Sequence, residues 1–304
     1  MKGFNARSWT LQYPGDSMNT GWGQLIPDVQ DENDFPMHRI EEYHPNVLSQ
    51  VAPSEAEGHT VDLSNMCSPV RDQGLLDACV GFALAGLVEF LQKKRGGPVE
   101  MCSPRFIWFY ARKYDFNSAL NVGAQLRNGM RVLAHAGTSP EHLDPYDPMA
   151  YAPFSPDDGY EVEAALNTVA SREPSSAAIA AAQQYVIDAY YRLGNLADFK
   201  RCLDSGYALV MSVPIFKTAI EQALASGRVP MPEGGEEPVA THSVLVTGYT
   251  NDRTFDGGGY LLCKGSQGRR RGDNGYFKVP YAYHENWNGD AWTATRLLSE
   301  SDDG

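Results

Sequence analysis

A change of hydrophobic period between residues 204 and 208 restricts this chain more than any other feature. Before it, apolar side chains recur at helical spacing over 78–94, 104–114, 126–135, 175–185 and 196–204. Lys93-Lys94-Arg95-Gly96-Gly97-Pro98 supplies a basic end and a stop for the first of these, and Ser103-Pro104 reads as a cap with a first-turn proline for the second. After it, short apolar runs at 208–213, 243–249, 259–262 and 275–279 read as strands. Asn251-Asp252, Asp256-Gly257-Gly258 and Gly272-Asp273-Asn274 supply the turns between them. Helices first and antiparallel strands later predict an α+β fold of two lobes, with ligands taken in the cleft between them.

Charge and cysteine usage narrow the function. The 304 residues carry 38 acidic against 25 basic side chains, a net charge of -13. That balance argues against nucleic-acid and anionic-membrane partners. The apolar run 78–91 contains Glu89 and is too short to cross a bilayer. Residues 1–8 lack the apolar core of a secretory signal. The five cysteines, at 67, 79, 102, 202 and 263, form no CxxC pair, and no histidines stand at HxxxH or HExxH spacing. The expectation is a cytoplasmic protein with no disulfide framework, metal or cofactor. Residues 1–60 are rich in acidic and turn-forming residues with scattered aromatics, the pattern of an extension lying over a body that starts near Val61 and runs to 304.

One thiol stands in a position that favours chemistry. Cys79 opens the strongest helix behind the turn Asp72-Gln73-Gly74, where the positive end of the helix dipole favours a thiolate. His242, at the start of a strand after the polar stretch 230–238, is the best candidate base. Taken alone, the two residues also fit a buried structural thiol and a surface histidine.

Their surroundings separate these readings. Val70-Arg71-Asp72-Gln73-Gly74-Leu75-Leu76-Asp77-Ala78-Cys79-Val80-Gly81-Phe82-Ala83 resembles the nucleophile segment of papain-like cysteine peptidases, with a glutamine six positions ahead of the cysteine. Thr241-His242-Ser243-Val244-Leu245-Val246-Thr247-Gly248-Tyr249 resembles that family's histidine strand, and Gly272-Asp273-Asn274-Gly275-Tyr276-Phe277 the turn and strand after its asparagine segment. Ser103-Pro104-Arg105-Phe106, the run 123–129 and Pro145-Tyr146-Asp147 fall in the family's order between them. Trp22-Gly23-Gln24-Leu25-Ile26-Pro27-Asp28, with Asp31 and Asp34, is similar to the leader of bacterial members. The resemblance spans roughly residues 22–285. It implies a papain-like fold, with a helical N-terminal lobe, an antiparallel β-barrel-like C-terminal lobe and the site in the cleft between. It implies Cys79 as nucleophile, His242 as proton shuttle, Gln73 with the Cys79 N–H as oxyanion donors, and Gly123 along the substrate cleft.

The departures bear on activity. The family's strand ends in Asn-Ser-Trp-Gly, whose asparagine orients the histidine and whose tryptophan shields that bond. Here the stretch is Lys264-Gly265-Ser266-Gln267-Gly268, so Gly265 takes the third triad position and Gln267 the tryptophan's. Gln267 and Ser266 are the candidate substitutes for orienting His242. Leu76 replaces a family disulfide cysteine, in keeping with a reducing compartment. Asp77 puts a negative charge beside the thiol, which raises its pKa, and Arg269–Arg271 opposes that only if it faces the cleft. The leading expectation is a cysteine peptidase acting on a peptide or protein through a thioester, self-inhibited by residues 1–60. A pseudo-peptidase whose cleft binds a peptide or protein without cleaving it is the alternative. Acyl transfer to an amine is a third reading that the residues do not separate from hydrolysis.

Overall fold

The computed structural model describes residues 34–43, 47–48, 52–146, 159–287 and 289–298. The leader-like segment 22–31, Asp147 and the acidic tail 300–303 lie outside the described residues.

In chain order the elements are β1 (Phe35–Pro36), α1 (Arg39–Tyr43), β2 (Thr60–Asp62), α2 (Cys79–Lys94), α3 (Pro104–Tyr114), α4 (Leu126–His135), α5 (Gly159–Ser171), α6 (Ser176–Ala182), β3 (Tyr191–Arg192), α7 (Leu196–Asp204), β4 (Leu209–Ile215), α8 (Lys217–Ser226), β5 (Ala240–Asn251), β6 (Gly259–Lys264), β7 (Tyr276–Pro280), α9 (Tyr281–Trp287) and β8 (Ala291–Thr293). Helices dominate the first part and the long strands the second, as the change of period predicts.

Helix α2 is the axle of the first lobe. Every residue from Cys79 to Gln92 is buried, which suits a helix apolar on all sides. It packs against α3, α4 and β5. Its contact with α3 is backbone-close, since a Cβ on Gly81 would lie 2.1 Å from the Pro104 carbonyl oxygen. Helix α3 starts as expected. Ser103 caps it by accepting the Phe106 N–H at 3.0 Å, and Pro104 fills the first turn. Leu84, Val88, Trp108, Met130 and Leu133 form the centre of this lobe's core.

The second lobe is built on one sheet with strand order β1-β3-β8-β4-β5-β6-β7, and β2 paired separately to β5. All its pairs are antiparallel except β1 with β3. Strand β5 is the wall between the lobes. Leu245 belongs to the helical core, while Val244 and Val246 face a second core with Phe199, Met211, Leu261 and Tyr281. It is longer than the run 243–249 suggests, so His242 sits inside the strand, opposite Val213, rather than at its start.

Three differences from the sequence reading have local causes. The 175–185 helix is α6 followed by a single 3₁₀ turn at Gln183–Tyr185. Helix α8 begins after Phe216, which makes no side-chain cap, and ends at Gly227 with φ 74°, so only its end carries a signal. Residues 34–43 and 47–48 are more than a covering, because Met37, Ile40 and Leu48 are buried in the second core. Asp34 is held by Arg127 of α4 and by Arg192 of β3, at 3.1 Å for the latter. This carboxylate therefore joins the two lobes.

Candidate active site

The site forms where the N-terminus of α2 meets β5 and the turn after β6. Residues 71–73 lie alongside residues 266–268. The Gln73 N–H donates to the Ser266 carbonyl at 2.8 Å and the Gly268 N–H to the Arg71 carbonyl at 3.2 Å, with Asp72 bridging Gln267. This short ladder brings together residues that the sequence separates widely. Cys79, Gln73, His242 and Ser266 converge there, all buried, with Gln267 half-buried beside them.

The nucleophile turn is held from two sides. Gly74 adopts φ 56°, and its N–H is accepted by Asp72 at 2.9 Å. Asn121 accepts the Asp77 N–H at 2.9 Å and donates to the Leu75 carbonyl at 3.3 Å. Gly123, expected along the substrate cleft, stands two residues further along that same loop and is half-buried. Below, Glu89 of α2 is fully buried and accepts from Arg71 at 2.9 Å, from the Cys102 N–H at 2.9 Å and from Ser68. Lys264 donates to the same Ser68 at 2.9 Å. The sequence signal for this cluster was a single acid in an apolar run, which a folded chain must pair. Asn121, by contrast, carries no signal beyond its place ahead of Gly123.

Around His242 the residues are rewired. The Gln267 side-chain nitrogen lies 2.7 Å from His242 Nε2, and Ser266 Oγ lies 3.4 Å from it. Ser266 Oγ also donates to Gln73 Oε1 at 2.6 Å, while Gln73 Nε2 donates one of its two hydrogens to the Leu76 carbonyl at 2.9 Å. Ser266 thus links Gln73 to His242. Gly265 leaves the space for this. A Cβ there would stand 2.7 Å from Gln267 Oε1 and 2.7 Å from Phe277 Cε2.

Burial keeps the Cys79 thiol and the His242 imidazole neutral. Burial pushes the Cys79 thiol up to about 11, opposed by the Ser243 N–H against the sulfur and reinforced by the charge of Asp77. Burial pushes His242 down to about 3. Asp77 is itself raised to about 7 by burial, against the pull of Arg112. Arg269 and Arg270 are exposed in the turn after β6 and do not shape the thiol. Cys263, two residues ahead of Gly265, faces the second core, and burial raises its thiol. All five cysteines are free thiols. Among the described residues no group of side chains is arranged to hold a metal ion, and no helix is long and apolar enough to cross a membrane.

No family model matches the chain. It is 30% identical over 226 residues to an uncharacterized peptidase C1-like protein of Acanthamoeba polyphaga mimivirus, covering 73% of this chain and 68% of that protein. The fold matches the crystal structure of xylellain, a cysteine protease from Xylella fastidiosa, with a TM-score of 0.73 and 26% identity, over 94% of this chain and all of that one. It also matches procathepsin B from Trypanosoma congolense at a TM-score of 0.64 and 14% identity, over 92% and 88% of the two chains, a likeness of fold.

Proposed function

Since this chain belongs to the papain-like, peptidase C1-like cysteine peptidases, we propose that it hydrolyses peptide bonds with Cys79 as nucleophile and His242 as proton shuttle. The observation that carries this reading is the convergence of Gln73 and His242, through Ser266, on the N-terminus of α2. His242 Nε2 is engaged by Gln267 and Ser266, so proton exchange with the thiol runs through Nδ1. Nδ1 takes the thiol proton as Sγ attacks the carbonyl carbon. The second hydrogen of Gln73 Nε2 and the Cys79 N–H then hold the oxyanion, each donor worth about 3–4 kcal/mol. The proton passes to the leaving amine, and water resolves the thioester by the reverse sequence.

Within the 1–60 extension, residues 1–33 act in this reading as the displaceable cover, since Met37, Ile40 and Leu48 belong to the core. Cys79 is fully buried, and Gln73 and His242 are 2% and 3% exposed, so a peptide reaches the sulfur only after a segment moves. Burial is the leading cause of both pKa shifts. Uncovering the site therefore lowers the thiol and raises the imidazole together. The five free thiols favour a reducing, cytoplasmic setting. The neutral pair and Gly265 also support the second reading, a peptide-binding pseudo-peptidase.

An epoxide-type thiol inactivator separates the two. The peptidase reading expects stoichiometric labelling of the full chain, lost in both Cys79→Ala and His242→Ala and faster once residues 1–33 are removed. Residues 34–48 are kept because they belong to the core. Failure to label in every form supports the pseudo-peptidase, and equal rates with and without 1–33 refute the cover.

A further inference from the structure

The side-chain amide of Gln267 has two chemically different ends, and the structure fixes which one meets His242. The Ser266 N–H donates to Gln267 Oε1 at 3.2 Å, so the oxygen faces the backbone and the NH₂ group faces the imidazole at 2.7 Å. An N–H directed at Nε2 requires a lone pair there, which puts the imidazole proton on Nδ1. An asparagine oxygen orienting the histidine would work the other way, by accepting a hydrogen bond from Nε2–H. The Ser266 hydroxyl adds a second constraint. Its single hydrogen goes to Gln73 Oε1 at 2.6 Å, so it offers only lone pairs to Nε2, 3.4 Å away.

From this we propose that Gln267 is the positioning residue for His242, and that its amide is a two-way switch. In the orientation seen here its N–H holds the Nδ1-protonated tautomer at rest. Reversal about the terminal torsion turns Oε1 toward Nε2 and admits the Nε2-protonated, reactive tautomer. The inference deepens the peptidase reading and rests on Cys79 and His242 as its reacting pair. In the resting orientation Nδ1 carries a proton and has no lone pair for the thiol, so transfer from Cys79 is blocked. On reversal one proton leaves Nδ1 for solvent and one is taken up at Nε2, with no net change, and Nδ1 is ready to act as base. What is given up is the Ser266 N–H bond to Oε1. The gain is an acceptor for Nε2–H from Gln267, with the Ser266 oxygen already turned to accept as well.

The geometry explains why Gln267 can serve here. Gly265 has no Cβ, and the space a Cβ would take is filled by Gln267 Oε1 on one side and the Phe277 ring on the other. The bridge between Asp72 and Gln267 pins the backbone from which the side chain reaches. Burial, which depresses the basicity of His242, favours the same neutral resting state.

The test is a two-bond ¹H–¹⁵N correlation spectrum of the full chain, labelled at histidine and assigned with His242→Ala. The wild type is expected to show His242 protonated at Nδ1 with a lone pair at Nε2. Gln267→Glu, which can only accept, is expected to move the proton to Nε2 and to raise kcat/KM about fivefold, the worth of the one hydrogen bond no longer broken. Gln267→Leu is expected to give both tautomers. A wild-type His242 protonated at Nε2 overturns the proposal, as does a Gln267→Glu spectrum unchanged from wild type. The wild-type spectrum decides even if neither variant folds. An Nδ1-protonated His242 beside a Cys79 that no inactivator labels supports the switch and removes the peptidase reading.

Discussion

Restoring the family's asparagine at position 265 is expected to harm this protein. The Gly265 N–H donates to the Gly275 carbonyl at 2.9 Å, and its neighbours Lys264 and Tyr276 are paired across β6 and β7, so the backbone cannot withdraw. A new Cβ arrives 2.7 Å from Phe277 Cε2 and 3.1 Å from Cδ2, where ordinary contact begins near 3.4 Å. The ring has little room to yield. It is 8% exposed, packs with Ile220, Leu224 and Ala240, and lies against Gly272 on its other edge. Overpacking of this kind costs about 1–3 kcal/mol, which for a chain of this size lowers Tm by roughly 2–10 °C. Gln267 yields more easily, but only by leaving His242. Gly265→Asn is therefore expected to lose stability and kcat/KM together, and Gly265→Ala to lose stability by a similar amount. Thermal denaturation and hydrolysis of a peptide substrate read the two effects. Phe277→Ala makes the room, so the double variant with Gly265→Asn should be less damaged than the sum of the singles, by about 1 kcal/mol or more. A Gly265→Asn protein with wild-type Tm and equal or higher kcat/KM refutes the steric argument.

Three further outcomes follow from the same geometry. Glu89→Gln removes one of the two carboxylates that Arg71 pairs with, leaving Glu141 at 3.2 Å, and is expected to cost about 1.5–3 kcal/mol in urea denaturation; no loss would mean that Glu141 holds Arg71 alone. Burial pushes the Cys79 thiol up to about 11, so its alkylation by iodoacetamide at pH 7 should be slow in the full chain, keep rising with pH above 7, and be faster once residues 1–33 are removed. A plateau already reached by pH 7 would contradict that. Asp77 has its folded pKa raised to about 7 from 3.8, so the stabilisation from its protonated form is complete below 3.8 and is lost as pH rises through 7. Asp77→Asn should therefore stabilise the chain at pH 8 by roughly 2–4 kcal/mol more than at pH 4, and a pH-independent effect would rule this out.

What was legible in the sequence is what local rules encode. Ser103-Pro104 announced α3 because a hydroxyl cap and a proline serve the same helix end, and the turns after 251, 256 and 272 announced strands because few residues reverse a chain so sharply. Cys79, His242 and Gln73 were legible as a set only through the ordered segments around them. The burial that makes the thiol weakly acidic was not, since it depends on what the folded chain packs around the first turn of α2. Helix α5 and the role of residues 34–48 were missed for a related reason. Met37, Ile40 and Leu48 look like scattered apolar residues in a polar stretch until the sheet supplies a core for them.

The two departures from the family's asparagine segment are best understood as one change. Of the Gln267 and Ser266 contacts at His242 Nε2, Gly265 alone would leave the more distant one, with the Ser266 oxygen at 3.4 Å. Gln267 alone, with any side chain at 265, would drive its Oε1 into a Cβ 2.7 Å away. Together they let an amide two residues further along fold back into the space the missing side chain leaves and reach Nε2 at 2.7 Å. The pairing of residues 71–73 with 266–268 makes the substitution workable, because it fixes the backbone under Gln267 to the loop that carries Gln73. The result is a coupling that an asparagine at 265 does not require. Ser266 bonds Gln73 with its hydrogen and faces His242 with its lone pairs, so any movement of Gln73 changes the acceptor offered to His242. Ser266→Ala should therefore weaken both oxyanion stabilisation and histidine orientation. It should lower kcat more than Gln267→Leu does while leaving KM nearly unchanged, and a Ser266→Ala protein with wild-type kcat would show that the two halves of the site act independently.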